Sequence, residues 1–237
     1  MTSHAHFNAP ADRSNRRRFR FTVSAGLIAA TTVGGICVLQ SGCLGLASNL
    51  MHAAGMDLVP AEYEGLEDQL VAVVVRTPSN RHHDDQIAGD MAIRLQQELT
   101  SKVDDFQAVR ADKIHDWWDR NGWDANDFQG LGRDVGATRV LLVDIKDLSL
   151  RDGATLYRGT ADVHVQVIDV ATGGVPFTKT IDSFEYPRMA GQSTSETTEK
   201  RFRKLYLSIL AAEIGRAFHP YDEGERVALD SKIVHNF

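Results

Sequence analysis

Cysteine is nearly absent: the chain of 237 residues has two, Cys37 and Cys43, both near the N-terminus. From Leu44 onward no disulfide can form, so any domain there is held by packing alone. Phosphate-binding signatures are also missing. No G-x-x-x-x-G-K and no G-x-G-x-x-G occurs after the first strand-like run. The loop that follows that run, TPSNRHHDD, has no glycine to let its backbone wrap a phosphate. Neither G-x-S-x-G nor C-x-x-C is present. These absences argue against a nucleotide enzyme and a serine hydrolase.

Positive charge is scarce in the body of the chain. The formal net charge is −6, but residues 1–42 hold five arginines and a single acid, Asp12. The remaining 21 basic and 31 acidic side chains give the rest of the chain a net charge of −10. So acidic a body has no electrostatic footprint for wrapping nucleic acid or lying flat on anionic lipid. A strongly apolar run long enough to span a bilayer is lacking too, since that takes roughly 20 residues. Residues 21–39 carry no charge but are diluted by Thr22, Ser24, Gly26, Thr31, Thr32, Gly34 and Gly35. Such a stretch inserts weakly and suits a leader that is cleaved.

What the N-terminus does have is order. A polar segment ends in NRRRFRF, and no charged residue follows from Phe21 to Met56. Basic, then apolar, then small residues is the layout of a secretory signal. Arg16, Arg17 and Phe19, within Asn15-Arg16-Arg17-Arg18-Phe19, also resemble a twin-arginine export signal. The stretch LQSGC, residues 39–43, resembles a bacterial lipoprotein box, in which the chain is cut just before a cysteine that carries diacylglycerol. Ser41 and Gly42 are small, as the cut requires, while Gln40 stands where that family prefers an aliphatic residue. The resemblance implies lipidation at Cys43 and a membrane-lipid partner through acyl chains. The competing reading is a single-pass anchor in which Cys43 is a small apolar residue of an uncleaved helix. Both readings export the body and tether it.

Residues 43–69 read as a membrane-proximal linker, broken at Pro60 and Gly65, and a single domain is expected over 70–218. LVAVVVR, residues 70–76, is a continuous β-branched run of the kind buried on both faces. Ile87, Met91, Leu95 and Leu99 then recur every four positions and predict a helix. A short strand is expected at 106–110. Two short helices follow, with Ile114, Trp117 and Trp118 on the first, and Phe128, Leu131 and Val135 on the second. Gly122 and Gly136 stop them, and Asp124 caps the second.

The period then changes to two. RVLLVDIKDLSL, TLYRGTADVHVQVIDV and VPFTKTIDSFEY predict an antiparallel meander, turned at Asp152-Gly153 and at Thr172-Gly173-Gly174. Ser193 and Glu196 suggest a capping box before a last helix near residues 199–218. Residues 219–237 read as a loose tail. The expected fold is therefore α/β (α+β): a mixed sheet of about five strands in the order β-α-β-α-α-β-β-β-α. Its first half is parallel, its C-terminal half a meander, and its helices lie mainly on one face.

That order, opened by VAVVV and closed by RVLLVDI and ADVHVQVIDVATGG, resembles a group of bacterial envelope domains. The group includes the curli-secretion pore lipoprotein, the lipoprotein activators of penicillin-binding proteins and the N-terminal domain of the Tol-system propeller protein. Its closing hairpin ends in D-x-x-x-G, matched by Asp169 to Gly173. VPAEYEGLEDQLVAVVV after the lipobox-like cysteine is also similar to uncharacterised lipoproteins of planctomycete-type bacteria. The resemblance implies a docking or assembly module rather than an enzyme.

The richest polar cluster is Arg81-His82-His83-Asp84-Asp85. Two imidazoles and two carboxylates can ligate zinc, but adjacent side chains diverge, and the acids also suit a first helical turn. A solvated loop is the preferred reading, with His82 and His83 as weak metal candidates and no catalytic residue assigned. DWWDRNGW gathers Trp117, Trp118 and Trp123. Trp117 is expected in the core, and Trp118 and Trp123 are the candidate partner surface, since tryptophan is enriched at binding hot spots. His164, Asp144, Lys146 and Asp162 read as a solvated strand face.

The expectation is a non-enzymatic lipoprotein of the bacterial envelope, its domain on the periplasmic side and its partner another envelope protein. No cofactor and no nucleic acid are expected. A metal-assisted hydrolase using His82, His83 and Asp84 or Asp85 is the alternative.

Overall fold

The valine-rich run forms the first strand, β1 (Leu70–Arg76), and its alternation sends side chains to two separate layers. Val71, Val73 and Val75 enter one apolar cluster, and Ala72 and Val74 enter another. The computed structural model describes residues 58–78, 86–123, 125–188 and 191–224. After β1 come α1 (Gln86–Lys102), β2 (Gln107–Ala108), α2 (Ala111–Asn121) and α3 (Phe128–Val135). The long strands β3 (Arg139–Asp152), β4 (Leu156–Asp169) and β5 (Phe177–Tyr186) follow, then β6 (Gln192–Ser193) and α4 (Glu199–Gly215).

The sheet order is β2-β1-β3-β4-β5, with the short β6 pairing β4. β1 is parallel to β2 and β3, whereas β3, β4 and β5 are antiparallel. The mixed α/β class, the element order and the change from parallel to antiparallel pairing match the reading of the sequence; β6 is the addition.

The helices differ from expectation: they cover both faces rather than mainly one. α1 and α4 pack with Val71, Val73, Leu141 and Val143, while α2 and α3 pack with Ala72, Val74, Val140 and Leu142. A strand apolar at every position needs a layer on each side. The meander's in–out alternation, which suggested one solvated face, runs along β4 from Tyr157 to Val167 and breaks at Ile168, which is buried in the other apolar cluster.

Three local expectations also change. β2 is two residues long instead of spanning 106–110, because the chain turns at Arg110 into α2. The cap of α3 is Asp127, whose Oδ1 accepts from Gly130 N at 2.7 Å; Asp124 lies outside the described residues. The cap of α4 is Thr198, whose Oγ1 accepts from Arg201 N at 3.3 Å. Ser193 is committed to β6 and bonds Ser195 instead, six positions before the helix begins.

Packing also runs beyond 70–218 in both directions. Leu66 is fully buried, and Tyr63 stacks on Phe177 with ring centroids 5.2 Å apart. Val59 and Tyr221 exchange backbone hydrogen bonds of 2.8 and 3.0 Å, and His219 is buried beside Glu98. Part of the expected linker and the first residues of the expected tail thus close the base of the sheet.

The Asp169–Gly173 turn is closed by the side chains of Asp169 and Thr172. Asp169 Oδ1 accepts from both Thr172 N (2.8 Å) and Thr172 Oγ1 (3.0 Å), and its other oxygen meets Arg139 Nη1 at 2.7 Å. The Thr172 hydrogen bonds, with Arg139 assisting, hold the carboxyl below its ordinary range. Gly173 takes φ +73°, the left-handed region where a β-carbon is strained, and returns its N–H to Asp169 O.

Candidate functional site: an apolar slot at the edge of β1

β1 is seven residues long, but β2 pairs only with Leu70 and Val71. Where β2 ends, α1 and α2 diverge over opposite faces of the sheet and leave a slot floored by Val73, Val74 and Val75, about 130 Å³ in volume. One wall is α1, with Ala88, Gly89, Ala92, Ile93 and Gln96. The other is α2, with Ala111, Ile114, His115 and Trp118, extended by Trp123.

The α1 wall comes from a simple helical pattern. Met91, Leu95 and Leu99 face the core and are fully buried. Gly89 and Ala92 flank that stripe on the slot side, and Ile93 stands outside it, 51% exposed. The α2 wall comes from Ile114, Trp117 and Trp118, which pack over the second apolar cluster.

Aromatic contacts fix the tryptophans. Trp118 stacks on Trp123 at 6.1 Å and meets Trp117 edge-on at 5.1 Å; His115 meets Trp123 edge-on at 5.7 Å. Trp117 Nε1 donates to Asp134 Oδ2 at 3.0 Å, and Trp123 Nε1 donates to Asp119 Oδ1 at 3.1 Å. At the end of β1 the Arg76 guanidinium lies 4.9 Å from the Phe128 ring and is bound to Asp144 and Asn126.

Of the two tryptophans expected at a partner surface, Trp118 is 5% exposed and belongs to the core, because the helical stripe that carries Ile114 carries it inward. It still contributes to the slot wall. Trp123, past the end of the helix, is half-buried and forms the rim. Trp117 is buried, as expected.

The polar strand residues are occupied with one another. His164 Nδ1 lies 3.2 Å from Thr180 Oγ1, Asp144 holds Arg76, and Asp162 Oδ1 accepts from Ser183 N at 2.6 Å where β5 bulges. Arg16, Arg17, Phe19 and Cys43, and also His82, His83, Asp84 and Asp85, lie outside the described residues. Among the described residues no group of three His, Cys, Asp or Glu side chains could hold a metal ion, and no helix is long and apolar enough to cross a membrane. A second, more open hollow of about 310 Å³ lies beside Leu148 and Leu150, but its charged residues, Arg151 and Glu199, are paired with each other.

The slot was missed in the sequence for a plain reason: its floor is the part of β1 that pairs with β3 on one edge but extends past β2 on the other, and the early end of β2 leaves no mark in composition. The available signal was Ile93, an aliphatic residue off the buried stripe and four positions after Gly89 in the helix's first turn.

Chemically, this slot can bury apolar groups and offer backbone hydrogen bonds. Among the described residues its lining holds no nucleophile and no acid–base pair.

No protein-family model matches the chain, and no curated protein matches it. Solved structures of similar arrangement exist. The PelC dodecamer from Paraburkholderia phytofirmans is 12% identical over 67% of this chain and 90% of that one, with a TM-score of 0.40. Lipoprotein GNA1162 from Neisseria meningitidis is 13% identical over 59% of this chain and 94% of that one, at 0.39. The LpoB C-terminal domain from Salmonella enterica is 18% identical over 58% of this chain and 91% of that one, at 0.34.

Proposed function

We propose that this chain is a non-enzymatic lipoprotein of the bacterial cell envelope whose α/β body binds another envelope protein through the slot at the β1 edge. The leader, residues 1–42, directs export, Cys43 carries the acyl anchor, and the body lies on the periplasmic side, joined to the membrane by the segment that follows Cys43. The observation that carries the binding role is the slot itself. It is open and apolar, it is rimmed by Trp123 and the 51%-exposed Ile93, and it lies in a body that is otherwise densely charged. Open apolar surface edged by aromatics marks interaction sites.

The test is reversible crosslinking in native envelopes followed by purification of the full chain. Trp123→Ala is expected to reduce recovery of the specific partner roughly tenfold or more, the scale of a hot-spot residue. Recovery unchanged from wild type would overturn the assignment of this surface.

A further inference from the structure

Along β1 the backbone alternates its hydrogen-bonding direction. Leu70 O accepts from Thr138 N at 2.8 Å, at the start of β3. Gln69 O and Val71 O accept from Gln107 N (3.1 Å) and Val109 N (2.9 Å) on the other side. Continuing the alternation, the N–H and C=O groups of Val73 and Val75 point into the slot. Past Val109 the chain leaves for α2, and no described backbone group meets Val73 or Val75 on this side. Yet these two residues are only 3% and 7% exposed. Buried backbone donors and acceptors in folded proteins are almost always paired, and a neighbouring strand is what pairs them.

The side chains around this edge specify what kind of strand. None of the thirteen lining residues is Asp, Glu, Lys or Arg, in a chain that is 24% charged. A charged occupant would lose its hydration there and find no Asp, Glu, Lys or Arg to pair with among the described lining residues. Apart from Gln96 on one wall and His115 on the other, both walls are apolar, so side chains on both faces of an added strand are expected to be uncharged, the pattern that β1 itself shows. The small Ala88, Gly89 and Ala92 leave room on the α1 side, and nothing lies within 4 Å of a β-carbon built at Gly89.

We propose that the slot takes an extended, uncharged, β-branched-rich segment of a partner polypeptide, which adds to the sheet beside β1 by pairing with the backbone of Val73 and Val75. This rests on the docking role above and supplies its chemistry: main-chain bonds give affinity and uncharged alternate side chains give selectivity. The chain's own flanking segments fit less well. Residues 44–56 contain no β-branched or aromatic residue, and residues 225–237 carry Glu225, Arg226, Asp230 and Lys232.

The experiment uses the full chain in lipid nanodiscs and the N-acetylated, C-amidated peptide Ser-Val-Thr-Val-Ile-Ser, followed by tryptophan fluorescence and amide hydrogen exchange over residues 70–76. Saturable binding with at least a tenfold slowing at Val73 and Val75 is expected. A peptide N-methylated at alternate residues, and one with glutamate at the fourth position, are expected to lose that binding. Gly89→Phe, whose β-carbon meets nothing within 4 Å and whose ring projects into the slot, should abolish binding while the melting temperature holds. Equal binding by the N-methylated peptide, absence of slowing at Val73 and Val75, or binding unaffected by Gly89→Phe would each overturn strand addition. So would peptide binding that requires deletion of residues 225–237, or a dimer that Gly89→Phe dissolves, because these make the chain's own tail or a second copy the occupant. If no peptide binds while partner recovery still depends on Trp123, strand addition fails and the docking role stands.

Discussion

Gly159 in β4 lies so close against Tyr206 in α4 that a β-carbon at position 159 would overlap ring atoms Cγ, Cδ2 and Cε2. The ring is fully buried, and its hydroxyl donates to Phe184 O in β5 at 3.1 Å. One side chain thus joins the last helix to two strands of the meander, and the glycine makes the room.

Gly159→Ala is expected to cost about 1–3 kcal/mol, the scale of overpacking in a core. Tyr206→Phe removes only the hydrogen bond and should cost about 1 kcal/mol. Urea unfolding of both variants checks the order; a Gly159→Ala protein as stable as wild type would refute the close packing.

Acid should weaken the base of the molecule through Glu98. Its carboxylate lies 3.6 Å from the buried His219 Nε2, an ion-pair distance too long for a good hydrogen bond. The His219 imidazole, helped by Lys102 and Arg216 and opposed by burial, holds the Glu98 carboxyl below its ordinary value of 4.5. A depressed carboxyl contributes stability that is present above its unfolded value and lost as pH falls through the folded one. Between about pH 5 and pH 3, wild type should therefore lose stability more steeply than Glu98→Gln, measured by urea midpoints across pH. Parallel curves would remove Glu98 from the account.

Trp118 and Trp123 should separate stability from binding. Truncating the buried Trp118 to alanine is expected to cost about 3–5 kcal/mol and to lower the melting temperature markedly. Trp123→Ala, at the half-buried rim, should cost about 1 kcal/mol or less while weakening partner capture. The same melting loss in both variants would place Trp123 in the core as well.

The anchor is tested at the mature N-terminus. Mass spectrometry of the chain isolated from membranes should find Cys43 as the first residue, carrying diacylglycerol. An intact chain beginning at Met1 without an acyl adduct would contradict lipidation and cleavage together.

Much of the fold was legible because it is written in periodicity. β1 was readable to the residue from its valines, and α1 from the four-residue recurrence of Met91, Leu95 and Leu99. The turn after β4 was readable from Thr172-Gly173-Gly174. Features set by tertiary placement were not legible. Two helices on each face follow from β1 being apolar at every position, a fact visible in the sequence but outweighed by the alternation in β4. The capping residues shifted because Ser193 was drawn into β6, and Arg110 ended β2 early. The slot is a consequence of that early end, so it could be found only once β1 and β2 were seen side by side.

The docking role is tested most directly by placing a photo-crosslinking amino acid at Ile93, whose exposed side chain edges the slot, and irradiating native envelopes. A single dominant adduct to another envelope protein is expected, lost when Gly89→Phe is added. Adducts that persist with the slot filled, or none at all, would contradict the account.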